Sequence, residues 1–123
     1  MKEAVKNYIE AYNTFNIDSM LVDLDENVIF ESINNGETNL IIEGVSNFKQ
    51  QAVLAATYFT TRHQEILEMK TEENCVTAKI HYSSILAKDL AENIKKGDEM
   101  NLIGTLTFYF NENNKIIKIE DRS

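Results

Sequence analysis

The sequence predicts a small α+β fold, cone-shaped, with three N-terminal helices packed in a strongly curved mixed/antiparallel sheet of about five to six strands around an internal pocket. Three observations predict it. An aromatic stripe at helical spacing opens the chain, β-rich runs closed by Asn and Gly follow, and most of the second half alternates like strand. At 123 residues the chain reads as one domain, 1–123, without repeat, low-complexity tract or interdomain linker.

Val5, Tyr8, Ile9, Tyr12 and Phe15 recur at three- and four-residue steps, the pattern of a helix burying one stripe. Glu3 suits the start of that helix and Asn13 its end. Asp18 then reads as the N-cap of a short second helix carrying Met20, Leu21 and Leu24. Val28 to Ile33 is β-rich, and Asn34, Asn35 and Gly36 supply the turn that closes it. Leu40 to Ile42 makes a short strand ending at Gly44. A third helix follows, with Ser46 as its cap and Phe48, Ala52, Ala55 and Phe59 on one face. His63 to Met69, Cys75 to Ser83, Asn101 to Phe110 and Lys115 to Asp121 alternate as strands, the last two joined by a turn at Asn111 to Asn114. Between strands, Ala87 to Lys95 has helix-competent composition.

A net charge of −8 argues against nucleic acid, which needs a basic stripe, and against anionic membrane surfaces. Cys75 is the sole cysteine, so no intrachain disulfide forms, which fits a reducing compartment. The first residues lack the apolar core of a signal peptide, and no apolar run approaches a membrane span. The expected location is cytoplasmic, with no nucleic-acid or membrane partner.

The residues that carry a resemblance are Tyr8 to Asn13, Asn16-Ile17-Asp18, Val28 to Glu31, Gly44 before the third helix, and the run from Gly97-Asp98 to Phe108-Tyr109-Phe110. On these the chain resembles the nuclear transport factor 2-like superfamily, particularly its SnoaL-like and ketosteroid isomerase-like members, over nearly its whole length. The resemblance implies a curved sheet wrapping the helices into a cone and a homodimer through the outer sheet face. It also implies roles for three positions. Tyr8 matches the tyrosine oxyanion donor of ketosteroid isomerases. Ser32 stands where they carry the aspartate base, and Leu106 where they carry a second, protonated aspartate. A serine hydroxyl has no useful basicity near neutral pH and leucine donates nothing, so steroid isomerisation is not expected.

Period-two alternation sorts the strand faces. Val28, Phe30 and Ser32 share a face, which the resemblance puts inside, opposite Ile29, Glu31 and Ile33. Leu102, Gly104, Leu106, Phe108 and Phe110 form the inner row of the long strand. Its other row, Asn101, Ile103, Thr105, Thr107 and Tyr109, is half apolar and suits a subunit interface. If Ile117, Ile119 and Asp121 face inward, Asp121 is a carboxylate at the rim of an apolar cavity and a candidate acid or base. The alternative is an exposed C-terminal residue paired with Arg122 or Lys118. Glu31 reads as a surface or interface charge.

Either Arg62 and Gln64 or His63 faces the cavity, because alternation forbids both sets. An inward Arg62 can hold a carboxylate or enolate, and an inward His63 is a second candidate base; the alternative for Arg62 is a surface salt bridge. Tyr8, Tyr12 and Tyr58 lie on helical stripes, where tyrosines usually belong to the core, and Tyr8 is the best hydroxyl donor among them. His81 alternates with Thr77 and Lys79 and points outward. No His, Cys or carboxylate set has metal-ligand spacing, and no phosphate loop or nucleophile elbow is present, so neither metal nor cofactor is expected.

The expected function is therefore a small-molecule-binding SnoaL-like domain with a mostly apolar pocket, taking an apolar or carbonyl-containing organic ligand. The pocket would be lined by Tyr8, Tyr12, Phe15, Phe30, Ser32, Phe48, Phe59, Arg62, Leu106, Phe108 and Ile119, with residues 85–97 as a lid. The alternatives are an isomerase or polyketide-cyclase-like enzyme moving a proton next to a carbonyl, with Tyr8, Asp121 and His63 as catalytic candidates, and a non-catalytic dimeric interaction module.

Overall fold

Burial of Val5, Tyr8 and Ile9 on one stripe makes the first helix, α1 (Lys2–Asn13), in the computed structural model, which describes residues 1–123. Phe15 follows with a left-handed φ of 58°, and this sharp turn starts the second helix early. Helix α2 (Ile17–Leu21) is consequently capped by Asn16, whose side chain accepts from the Ser19 N–H at 3.2 Å. The expected cap, Asp18, falls inside the first turn, and Leu24 opens a strand instead of closing the helix.

Strands β1 (Leu24–Asn34) and β2 (Glu37–Glu43) pair antiparallel across Asn35 and Gly36. Both turn residues take positive φ, 52° and 79°, as a two-residue hairpin requires. Gly44, at φ 87°, turns the chain from β2 straight into α3 (Val45–Ala56). Ser46 therefore lies within the helix and does not cap it. Helix α3 stops at Ala56, so Phe59 begins the next strand and Tyr58 sits in the connecting turn, not on a helical stripe.

Strands β3 (Phe59–Thr71), β4 (Cys75–Leu86), β5 (Glu99–Phe110) and β6 (Ile116–Arg122) run as an antiparallel meander. The segment between β4 and β5 forms turns with a short Ala91–Ile94 bridge, and no helix. Strand β4 takes residues that were expected in the connection, because Leu86 still pairs with Phe59. The sheet is six-stranded, curved and open, in the order β2-β1-β6-β5-β4-β3, and β1 with β6 is its only parallel pair.

Alternation places Val76, Ala78 and Ile80 of β4 and Gly104, Leu106, Phe108 and Phe110 of β5 in the interior. They join Val5, Tyr8 and Ile9 of α1, Met20 of α2 and Phe48 of α3 in one core. Phe108 is fully buried, with the Tyr8 ring edge-on at 5.4 Å between centroids. Gly104 lets β5 pass close to the C-terminus, since a Cβ there would stand 2.7 Å from the Arg122 carbonyl oxygen. The inward row of β6 departs from expectation at one residue. Its register against β5 shifts between Tyr109 and Phe110, so Ile116 and Ile119 are buried while Ile117 is 38 % exposed. That extra residue changes the phase of the strand; Asp121 keeps step with Ile119.

Candidate functional site

The C-terminal end of α1 is tied to the start of β3 by Asn13. Its side-chain oxygen accepts from the Gln64 N–H at 2.7 Å, and its amide donates to the Gln64 carbonyl at 3.2 Å. This pairing sets the face of β3 that alternation left open. Arg62 and Gln64 are buried, each 5 % exposed, while His63 is exposed on the opposite face. Arg62 Nε donates to the Tyr12 carbonyl at 2.8 Å. The guanidinium carbon lies 3.9 Å from the Tyr12 ring centroid and 4.5 Å from that of Phe15. His63 is thus removed from the interior, and the surface salt bridge weighed for Arg62 does not form.

Ser32 and Leu106, two of the positions singled out by resemblance, fall in one line across the sheet with Asp121 between them. Ser32 of β1 pairs with Asp121 of β6, and Asp121 pairs with Leu106 of β5. A carboxylate is therefore present at this level of the sheet, one strand away from Ser32. Burial pushes the Asp121 carboxyl above the ordinary 3.8, and the adjacent Tyr82 hydroxyl works in the opposite direction. That contact falls outside hydrogen-bond geometry, so the buried Tyr82 hydroxyl has no partner. Burial, then the Asp121 charge, push the Tyr82 and Tyr8 hydroxyls far above their ordinary range, and both remain protonated donors. Tyr12 is also raised by burial, with Arg62 opposing.

Two cavities adjoin these groups, and Tyr12 lines both. The first, about 190 Å³, is lined by Tyr12, Ser32, Asn34, Phe59, Tyr82, Ser83, Ser84, Met100, Leu102, Asp121 and Ser123. The second, about 100 Å³ and mostly apolar, lies among Tyr8, Tyr12, Met20, Phe30, Ile42, Phe48, Gln51, Ala52, Ala55 and Arg62. Tyr8, Tyr12, Phe30, Ser32, Phe48, Phe59 and Arg62 thus line one cavity or the other. Leu106, Phe108 and Ile119 do not: they are at most 2 % exposed and belong to the packed core behind the site. Phe15 backs Arg62 and faces an outer cleft with Lys49 and Val53. Residues 85–97, expected as a lid, line neither cavity.

Tyr82 is the main residue that sequence reasoning left out of the site. It continues the inward row of Val76, Ala78 and Ile80, and that alternation was the signal available for it. Among the described side chains, no group of three or more His, Cys, Asp or Glu residues is arranged to hold a metal ion.

No protein-family model matches the chain, and no curated protein matches it by sequence. Solved structures do match it along almost its whole length. A provisionally named polyketide cyclase from Xanthomonas campestris pv. campestris superposes with a TM-score of 0.82 at 18% identity, covering 99% of this chain and 88% of that one. The fold is that of the nuclear transport factor 2-like superfamily. A provisionally named SnoaL-like polyketide cyclase from Shewanella denitrificans OS-217 gives 0.78 at 13% identity, over 98% and 88% of the two chains. A protein with a ketosteroid isomerase-like fold from Catenulispora acidiphila, in complex with trimethylamine, gives 0.77 at 10% identity, over 97% and 83%. At these identities the likeness is one of fold, and the nuclear transport factor 2-like fold expected from the sequence is the one observed.

Proposed function

We propose that residues 1–123 form a single small-molecule-binding domain of the SnoaL-like kind, cone-shaped, whose ligand enters the cavity between Tyr12, Tyr82 and Asp121. The observation that carries this reading is a half-buried carboxyl and an unpartnered buried hydroxyl, Asp121 and Tyr82, on the wall of one cavity whose apolar side is Tyr12, Phe59, Met100 and Leu102. A small organic molecule bearing a carbonyl fits that chemistry, because the tyrosine donates to the carbonyl oxygen while the walls take the carbon frame. The Catenulispora protein, which shares the fold, holds the small molecule trimethylamine. We place the domain in the cytoplasm as a homodimer through its outer sheet face, where Ile103 is 52 % exposed. Protein-observed NMR titration with cyclohexanone and 2-cyclohexenone tests the binding reading. Shifts at Tyr12, Tyr82 and Asp121 are expected, and a panel of such ketones that leaves these residues unmoved would refute it.

The raised Asp121 carboxyl favours a second reading, an enzyme that moves a proton next to a carbonyl. In that reaction the Asp121 carboxylate takes the proton from the carbon beside the carbonyl. A tyrosine O–H, from Tyr82 or Tyr8, donates to the enolate oxygen, and the carboxylic acid returns the proton to carbon. Exchange of deuterium at the α-carbon of the same ketones, lost in Asp121→Asn, is the expected signature. Binding without exchange leaves the first reading standing alone.

A further inference from the structure

The Arg62 side chain is a buried cation with no counter-ion. The four ion pairs of the protein, Lys49–Asp18, Lys95–Asp89, Lys118–Glu31 and Arg122–Glu120, all lie elsewhere. Of its guanidinium, Nε is used by the Tyr12 carbonyl, and the central carbon lies close to both the Tyr12 and the Phe15 ring. Nη2 is buried and has no hydrogen-bond partner. An unpaired charge out of water is among the most unfavourable things a fold can contain, and a bare guanidinium donor adds to it. The chain nevertheless holds this one in place. Asn13 sets the strand face, and Phe15 adopts φ 58°, a conformation disfavoured for an aromatic residue, with its ring on the guanidinium.

We infer that the 100 Å³ cavity beside Arg62 is an anion subsite that takes the carboxylate of a small organic acid, its carbon frame lying against Phe30, Phe48 and Ala52. The inference rests on the proposed ligand-binding role of the interior and names the class of ligand. A carboxylate suits the site better than a phosphate because the cavity offers one guanidinium and tyrosine hydroxyls, without the further cations or backbone N–H cradle that a doubly charged group calls for. Tyr82 and Asp121 line the neighbouring cavity and not this one, so they take no part in holding the carboxylate. The overall charge of −8 makes a cation the more obvious guest, so an anion-selective interior is specific to this arginine.

The test is calorimetric titration of the full chain with benzoate, benzamide and inorganic phosphate, followed by the Arg62 Nε–H resonance. Benzoate is expected to bind about tenfold or more tightly than benzamide, the size of one charge-assisted hydrogen bond, and to shift that resonance. In Arg62→Met the preference for benzoate disappears while benzamide still binds. Arg62→Lys, which keeps the charge without the planar fork, restores part of it. Equal affinity of wild type for benzoate and benzamide overturns the anion subsite yet leaves the ligand-binding reading intact, as does tighter binding of phosphate. Failure of both benzoate and benzamide, together with silence from the neutral ketones, removes both. The wild-type comparison decides the matter even if Arg62→Met does not fold.

Discussion

Gly104→Ala is the substitution that ties the packing of the sheet most closely to the site. The new Cβ would lie 2.7 Å from the Arg122 carbonyl oxygen, 3.2 Å from Tyr82 Cε2 and 3.4 Å from Ser123 Cβ. The nearest atom is backbone, and the end of β6 cannot withdraw freely. Arg122 pairs with Thr105 on one side and Ile33 on the other, and the Ser123 N–H donates to the Ile33 carbonyl at 3.0 Å. Overpacking of this kind costs about 1–3 kcal/mol, offset by about 0.5 kcal/mol from the stiffer unfolded chain. A net loss of about 1–2 kcal/mol is expected, or about 4–8 °C in Tm for a domain of this size. Gly36→Ala is the control: nothing lies within 4 Å of its Cβ, and only its φ of 79° opposes the change, for about 1 kcal/mol. Urea denaturation of both variants measures the costs, and cyclohexanone titration reads the site. Because Tyr82 and the residue after Asp121 are what the methyl displaces, Gly104→Ala should weaken the ketone and Gly36→Ala should not. A Gly104→Ala protein as stable as wild type to within about 0.3 kcal/mol, with unchanged ketone affinity, would refute the reasoning.

Three further outcomes follow from individual groups. Asp121 has a raised folded-state pKa, so the folded protein holds its proton to higher pH than the unfolded chain. Stability is lost as pH rises from the ordinary aspartate value of 3.8 through the folded value, and Asp121→Asn should flatten that slope and be the more stable protein at neutral pH; a wild-type slope of the opposite sign that Asp121→Asn abolishes would contradict this. Asn13→Ala removes both hydrogen bonds to Gln64 and should destabilise by about 2 kcal/mol in thermal unfolding, with a matching loss of the Arg62 Nε–H shift on benzoate addition. On the outer face, the Tyr109 O–H donates to Glu120 Oε1 at 2.6 Å, and this bond, then burial, push the tyrosine up to about 12; ultraviolet titration of Glu120→Gln should return Tyr109 towards its ordinary range.

Much of the fold was legible because its strongest signals are local. The α1 stripe, the Asn35–Gly36 hairpin and the inward row from Gly104 to Phe110 each depend on spacing within a few residues. The cap positions were misjudged where left-handed backbone at Phe15 and Gly44 moved a helix start, an event that propensity does not register. Strict alternation puts Ile117 in one row with Ile119 and Asp121, and the register shift that takes Ile117 out of the interior is invisible to it. The choice between Arg62 and His63 depended on Asn13, 51 positions from Gln64 in the chain, and no local pattern contains that contact. Tyr82 and Asp121 meet only because β4, β5 and β6 align. Alternation put Tyr82 in the row of Val76, Ala78 and Ile80 but left the direction of Asp121 open, and their convergence on one cavity needed the sheet order.

The central claim is that the interior beside Tyr12, Tyr82 and Asp121 is a binding cavity and not merely an imperfectly filled core. A crystal structure of the full chain soaked with cyclohexanone tests it most directly, since an apolar cavity of about 150 Å³ already admits benzene and this one is about 190 Å³. The account expects the ketone within that cavity, its oxygen within hydrogen-bond reach of the Tyr82 hydroxyl. A cavity closed by its own side chains, with Tyr82 bonded to Asp121 and no ketone between them, would contradict it.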